Sequence, residues 1–221
     1  MADRNPEQDN LFKEIDEELR QEHYAKLWKK YGNVVIGAVV VLVLSVASYQ
    51  GWKSYNLNQR TESSQLFNSA IKKIAANKPD EAAGLLAKLS VGGSAGYAVL
   101  SRFNQAAVLV KKNDTEGASS AYQKMSQDSS VPLAFRNLAL LMSVMHGLDH
   151  GDPAQLSASL AGLMAAGNPW RHSAKELTAL AAQKAGDKSK AGKLYKELAD
   201  DATAPSGIRT RAAEMSAILG G

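Results

Sequence analysis

The sequence predicts an all-α protein in which a single membrane-crossing helix near the N-terminus is followed by a solenoid of helix hairpins. Three observations carry this reading. Residues 32–52 contain no charged side chain. The remainder is rich in alanine and leucine, and aromatic residues make up only 6% of the chain, which favours close helix-on-helix packing of small side chains over sheets. A pattern of small or apolar residues spaced by four and then three recurs along the C-terminal portion, each time just after a turn pair.

Composition bounds the rest. With 221 residues the chain holds one ordinary domain plus extras, and once tail and span are set aside about 165 residues remain, enough for a core without staples. There is no cysteine, which excludes disulfides and thiolate metal sites. The formal charge of +4 is a small excess for this size and is read as a solvated lysine-rich surface.

Residues 1–10 are polar and are expected to be disordered. From Leu11 to Tyr31 a helical stripe runs through Phe12, Ile15, Leu19, His23, Lys26 and Lys30. Acids (Asp16, Glu17, Glu18) precede bases (Arg20, Lys26, Lys29, Lys30), an order that suits the helix dipole and an anionic membrane surface. Such a helix either lies along the cytoplasmic face or continues straight out of the membrane.

The span follows. About 21 uncharged residues make a helix about 31 Å long, the thickness of a bilayer's hydrocarbon core. Amphipathic rings mark both ends: Trp28 and Tyr31 before it, and Tyr49, Trp52 and Tyr55 after it. The balance of Arg20, Lys26, Lys29 and Lys30 against Lys53 and Arg60 places the N-terminus in the cytoplasm. A cleaved signal peptide is the rival reading. The long, acid-rich segment ahead of the apolar run favours an uncleaved anchor. The expected organisation is a cytoplasmic tail at 1–31, a transmembrane helix at 32–52 and a periplasmic repeat domain at 53–221.

In that last part the pattern reads Asn77-Lys78 then Ala82, Leu86 and Leu89; Asn113-Asp114 then Ala118, Tyr122 and Met125; Gly151-Asp152 then Leu156, Leu160 and Leu163; Gly186-Asp187 then Ala191, Tyr195 and Leu198. Successive units start ~36, ~38 and ~35 residues apart, close to the 34-residue helix-turn-helix period of a tetratricopeptide-like solenoid. Asn or Gly suits a left-handed helix end, and Asp or a following Ser opens the next helix. Pro132 and Pro205 each stand where a new unit begins, as do Pro169-Trp170 and the glycine loop at 92–96. Alanine at the fixed point allows the close helix crossing, while Tyr122 and Tyr195 one turn on fill the gap between units. Leu156 departs from the small-residue rule, so the third unit is expected to be shifted or loosely packed. The predicted helices span 61–76, 80–89, 97–112, 115–127, 132–150, 153–166, 170–185, 188–200 and 205–219. The last of them is expected to cap the stack with a polar outer face.

Sites of chemistry are few. His146 and His150 stand four apart, a spacing that puts two imidazoles on one helix face for a metal, with Asp149 or Asp152 as a third ligand; an ordinary helix-end histidine is the plainer reading. There is no nucleophile elbow and no phosphate-binding loop. Lys188, Lys190, Lys193 and Lys196 form a basic edge that suits acidic partners or lipid headgroups, or is simply solvated. Nucleic acid is not expected, because aromatics do not interleave with the bases. No catalytic residue, metal or cofactor is assigned, and the chain is not expected to be an enzyme.

The tail's WKKYG at 28–32, the apolar span, the exit GWKSY at 51–55 and the repeats together resemble the YfgM-like family of ancillary SecYEG translocon subunits, sometimes grouped with the tetratricopeptide domains of a cell-division coordinator. The resemblance implies a periplasmic adaptor beside the translocon and a membrane-anchored chaperone, with exported chains as clients, and it brings no catalytic residues. An envelope-assembly or division adaptor is the alternative, and a hydrolase or metal enzyme built on His146 and His150 is a third.

Overall fold

The computed structural model describes the backbone of residues 6–220 and the side chains of residues 17–220. The expectation of disorder for residues 1–10 is corrected over 6–10, which form the first turns of α1 with Pro6 at the first helical position, and lies outside the described residues for 1–5, as do the side chains of the stripe positions Phe12 and Ile15. The fold is all-α, and no strand occurs among the described residues. Its helices are α1 (Pro6–Ala75), α2 (Pro79–Gly92), α3 (Ala95–Lys111), α4 (Thr115–Gln127), α5 (Leu133–Gly147), α6 (Pro153–Ser159), α7 (Arg171–Lys184), α8 (Lys188–Asp200) and α9 (Ser206–Leu219), with a 3₁₀ turn at Ala161–Met164 after α6. Two compact units divide at Asn58 and Gln59.

Of the two arrangements open to the tail helix, α1 takes the one that continues straight into the span, and it runs on without the expected break into the first repeat helix. No proline interrupts this run and its glycines stand singly, so backbone hydrogen bonding has no reason to stop. The next helices follow the sequence closely until the glycines at 92–96. Gly92 ends α2, Gly96 lies inside α3, and the connection shrinks to Gly93 and Ser94, whose N–H donates to Ser63 Oγ at 3.0 Å.

In the second unit the hairpins pack in order, α2 on α3, α3 on α4, α4 on α5, α6 on α7, α7 on α8 and α8 on α9. Three inter-helix turns are copies of one another. Asn77, Asn113 and Gly186 take positive φ (57°, 62° and 79°). The N–H of the next residue, Lys78, Asp114 or Asp187, donates to the carbonyl five residues back at 2.9 Å in each case, closing the helix end. Asp114 and Asp187 then cap the following helix through Gly117 N–H and Lys190 N–H.

The third turn departs from the set. Gly151 does not adopt positive φ; its N–H donates to Gly147 O at 2.7 Å, and a Cβ there would stand 2.9 Å from that same oxygen. The helix expected over 153–166 stops at Ser159 and tightens into the 3₁₀ turn. Ser157, Ser159 and Gly162 are weak helix formers, and the Ser159 hydroxyl donates back to Leu156 O.

Helices α3–α5 and α7–α9 are two renderings of one three-helix block, offset by ~73 residues, two hairpin periods. Their cores correspond: Ala118, Tyr122, Met125 and Ala139 in the first, Ala191, Tyr195, Leu198 and Ala212 in the second. On α9 the positions matching Leu140, Leu141 and Val144 are Ala213, Glu214 and Ala217, all exposed. The face that α5 buries is thus small and polar on α9, as a terminal cap requires.

Candidate functional site: an apolar helix and a repeat scaffold

In the first unit, α1 carries its large apolar residues outward. Val34, Leu42, Leu44 and their neighbours are exposed, and only 6% of the most apolar stretch is buried. A helix in the core of a soluble domain would be mostly covered; this one is long and apolar enough to cross a membrane. Trp28, Tyr31, Tyr49, Trp52 and Tyr55 are all exposed on it. Tyr31 and Tyr49 stand about 27 Å apart along the axis at 1.5 Å per residue. The Trp28 indole folds down over Gly32, where an added Cβ would meet the ring at 3.2 Å, so glycine makes room for it. Lys30 Nζ lies 5.2 Å from the centre of the Tyr31 ring, with its charge over an aromatic face. Ser45 returns its hydroxyl to Val41 O, the local satisfaction that a polar group needs in hydrocarbon.

In the second unit the repeat residues occupy the helix contacts. Ala82, Leu86, Ala118, Leu160 and Ala191 are fully buried, as nearly are Tyr122 and Tyr195, whereas Leu156 is half-buried beside Leu160 and Leu163. The two tyrosines differ in a way their spacing does not reveal. Tyr122 O–H donates to Phe103 O at 3.3 Å, and its ring contacts Phe103. Tyr195 O–H is buried without a hydrogen-bond partner among the described residues, and burial, with the Glu176 charge adding, pushes its pKa up to about 12. At the α4–α5 crossing Ser119 and Ser143 exchange hydrogen bonds, each hydroxyl donating to the other's carbonyl at 2.9 and 3.0 Å. Gly147 follows one turn on, where a Cβ would press on Ser119 Oγ at 3.1 Å. Sequence patterning of apolar residues misses this serine pair, because polar residues on a packing stripe look like breaks in it.

A second feature it misses is the corner after α4 and after α8. Asp128 accepts from Ser130 N–H and Oγ–H and from Arg102 at 2.7 Å. Asp201 accepts from Thr203 N–H and Oγ–H, and meets His172 Nε2 at 3.0 Å. The Ser130 and Thr203 hydroxyls, more than Arg102 beside the one and the His172 ring beside the other, hold both carboxyls down at about 2. The offset between Asp128 and Asp201 was the available signal. His172, Asp201 and Thr203 have the composition of a hydrolytic triad but not its geometry: carboxylate and hydroxyl both meet the same ring nitrogen, so the imidazole cannot be oriented by one while taking a proton from the other.

The candidate metal pair is likewise placed differently from a ligand set. His146 stacks on Tyr122, with ring centres 5.8 Å apart and planes within 11°, and burial lowers its pKa; His150 is exposed. Among the described residues no group of three or more His, Cys, Asp or Glu could hold a metal ion. Asp149, named as a third ligand, pairs with Lys184 on α7, and Asp152 caps α6 through Ala154 N–H.

No curated protein and no solved structure matches the chain. A family match does: residues 25–205, which take in the apolar helix segment and the hairpins through α8, fit the tetratricopeptide repeat-like domain. The chain belongs to that family.

Proposed function

We infer that this protein is a membrane-anchored interaction scaffold of the bacterial envelope, with the segment 1–31 in the cytoplasm, 32–52 through the inner membrane and the repeat domain from 53 onward in the periplasm. The tetratricopeptide-like fold is a protein-interaction fold, and the observation that carries the reading is the pairing of such repeats with an uncovered apolar helix on the same chain. An anchor of this kind raises the local concentration of the scaffold at a membrane machine. The resemblance of 28–32 and 51–55 to the YfgM-like family supports the Sec translocon and a periplasmic chaperone as partners, with newly exported chains as clients. The repeat-packing set from Ala82 to Tyr195 is structural in this reading, and the partner-binding surface lies on what the packing leaves exposed. Crosslinking in intact membranes followed by mass spectrometry is the test: translocon subunits or a periplasmic folding factor are expected, and recovery of neither at native expression removes the assignment.

A further inference from the structure

Helix α8 presents Lys188, Lys190, Lys193 and Lys196, all exposed. Among the described residues none of the four enters an ion pair; Lys73, Lys78, Lys112, Lys175 and Lys184 of the same unit do, and its other lysines outside ion pairs, Lys72, Lys88, Lys111 and Lys124, stand one to a helix on α1 to α4, so α8 alone gathers several. The acids of α8 do not offset them. Asp187 is occupied as the helix cap and Glu197 is held by Lys175, which leaves Asp200 in the last turn. The fold does not ask for these lysines. On α4, in the same place one block earlier, the corresponding residues are Thr115, Gly117, Ser120 and Gln123, although the buried faces of α4 and α8 correspond as Ala118 with Ala191, Tyr122 with Tyr195 and Met125 with Leu198. Lys190, Lys193 and Lys196 fall within about 120° of one another around the helix, with Lys188 at its first position, and all four lie on the part of α8 that packing leaves exposed.

We propose that this face of α8 is a docking surface for an anionic phospholipid bilayer. The proposal rests on the reading of 32–52 as a membrane span, which keeps the repeat unit near a bilayer at all times. Lipid fits the face better than an acidic protein does. A protein partner wants a desolvated aromatic, arginine or large aliphatic anchor at its centre, and α8 exposes no large apolar residue and no arginine. Compact ammonium charges on flexible stems suit a fluid plane of phosphates, where each contributes separately and no fixed geometry is needed.

The test uses the full chain in nanodiscs of uncharged phosphatidylcholine, floated with acceptor vesicles of phosphatidylcholine alone or with added phosphatidylglycerol. The wild type is expected to float with the anionic vesicles only, and to release them as salt is raised. The K188Q/K190Q/K193Q/K196Q variant, with helical circular dichroism unchanged, is expected to bind about tenfold more weakly or worse. A control variant, K72Q/K88Q/K124Q, keeps wild-type binding. Equal loss in both variants, or full binding by the α8 variant, overturns the proposal. So does wild-type capture by immobilised polyglutamate but not by anionic vesicles, which makes the partner an acidic protein. If the chain enters nanodiscs yet fails to float with anionic vesicles, the lysine face alone falls; if it never enters a bilayer, the anchor reading falls and takes this inference with it.

Discussion

Asp128 and Asp201 are each held by the residue two positions on, which donates through both its hydroxyl and its backbone N–H. That pattern favours the ionised form and lowers each carboxyl from the ordinary 3.8 to about 2. Because the folded value is depressed, the stabilisation is complete above the ordinary value and is lost as pH falls through about 2. Carboxyl titration by NMR is expected to find both midpoints near that lower value, and Asp128→Asn or Asp201→Asn should flatten the decline in stability between the two pH values. The tyrosine pair makes a contrast that thermal unfolding can read. Tyr122→Phe removes a donor from Phe103 O and is expected to cost about 0.5–1.5 kcal/mol, while Tyr195→Phe removes an unpartnered buried hydroxyl and should be neutral or stabilising. At this scale the sequence was legible where identity recurs with spacing, as for Ala118, Tyr122, Ala191 and Tyr195. It was opaque where the role depends on a partner far along the chain, as with Ser119 and Ser143 or His172 and Asp201.

Among the helices, the turn residues decide where one ends and the next begins. Asn113 holds φ at 62°, a conformation that a Cβ disfavours and that asparagine tolerates through its short polar side chain. Asn113→Gly is therefore expected to be neutral or mildly stabilising, and Asn113→Ala to cost about 1 kcal/mol, as measured by urea unfolding of the two variants side by side. In the helix-packing cores, Ala118 and Ala191 are fully buried. Leucine at either site is expected to cost about 1–3 kcal/mol through overpacking, checked by the same unfolding curves. Helix boundaries set by Asn, Gly, Asp and Pro could be read in advance. The continuation of the tail helix into the span was one of the two arrangements its sequence allows, but the run of the span into the first repeat helix was not expected, although residues 53–60 hold no proline or glycine to end a helix. The short α6 escaped notice because Leu156, Leu160 and Leu163 keep a helical spacing through a stretch of serine and glycine that does not keep a helix.

Along the chain, two renderings of a three-helix block follow a helix whose most apolar stretch is almost wholly exposed. The repeats bury their own small-residue faces, so their cores account for stability and their exposed faces are left for partners. The apolar stretch has the length, the flanking rings and the exposure of a membrane span. Its absence of cysteine also makes the chain convenient for mapping sides of a membrane. The most direct measurement places one cysteine at Arg20 and, separately, one at Ala217, and treats intact spheroplasts with a membrane-impermeant maleimide. Labelling at 217 before lysis, with labelling at 20 only after it, is the predicted result; the reverse order, or recovery of the chain in the soluble fraction, contradicts an anchored scaffold facing the periplasm.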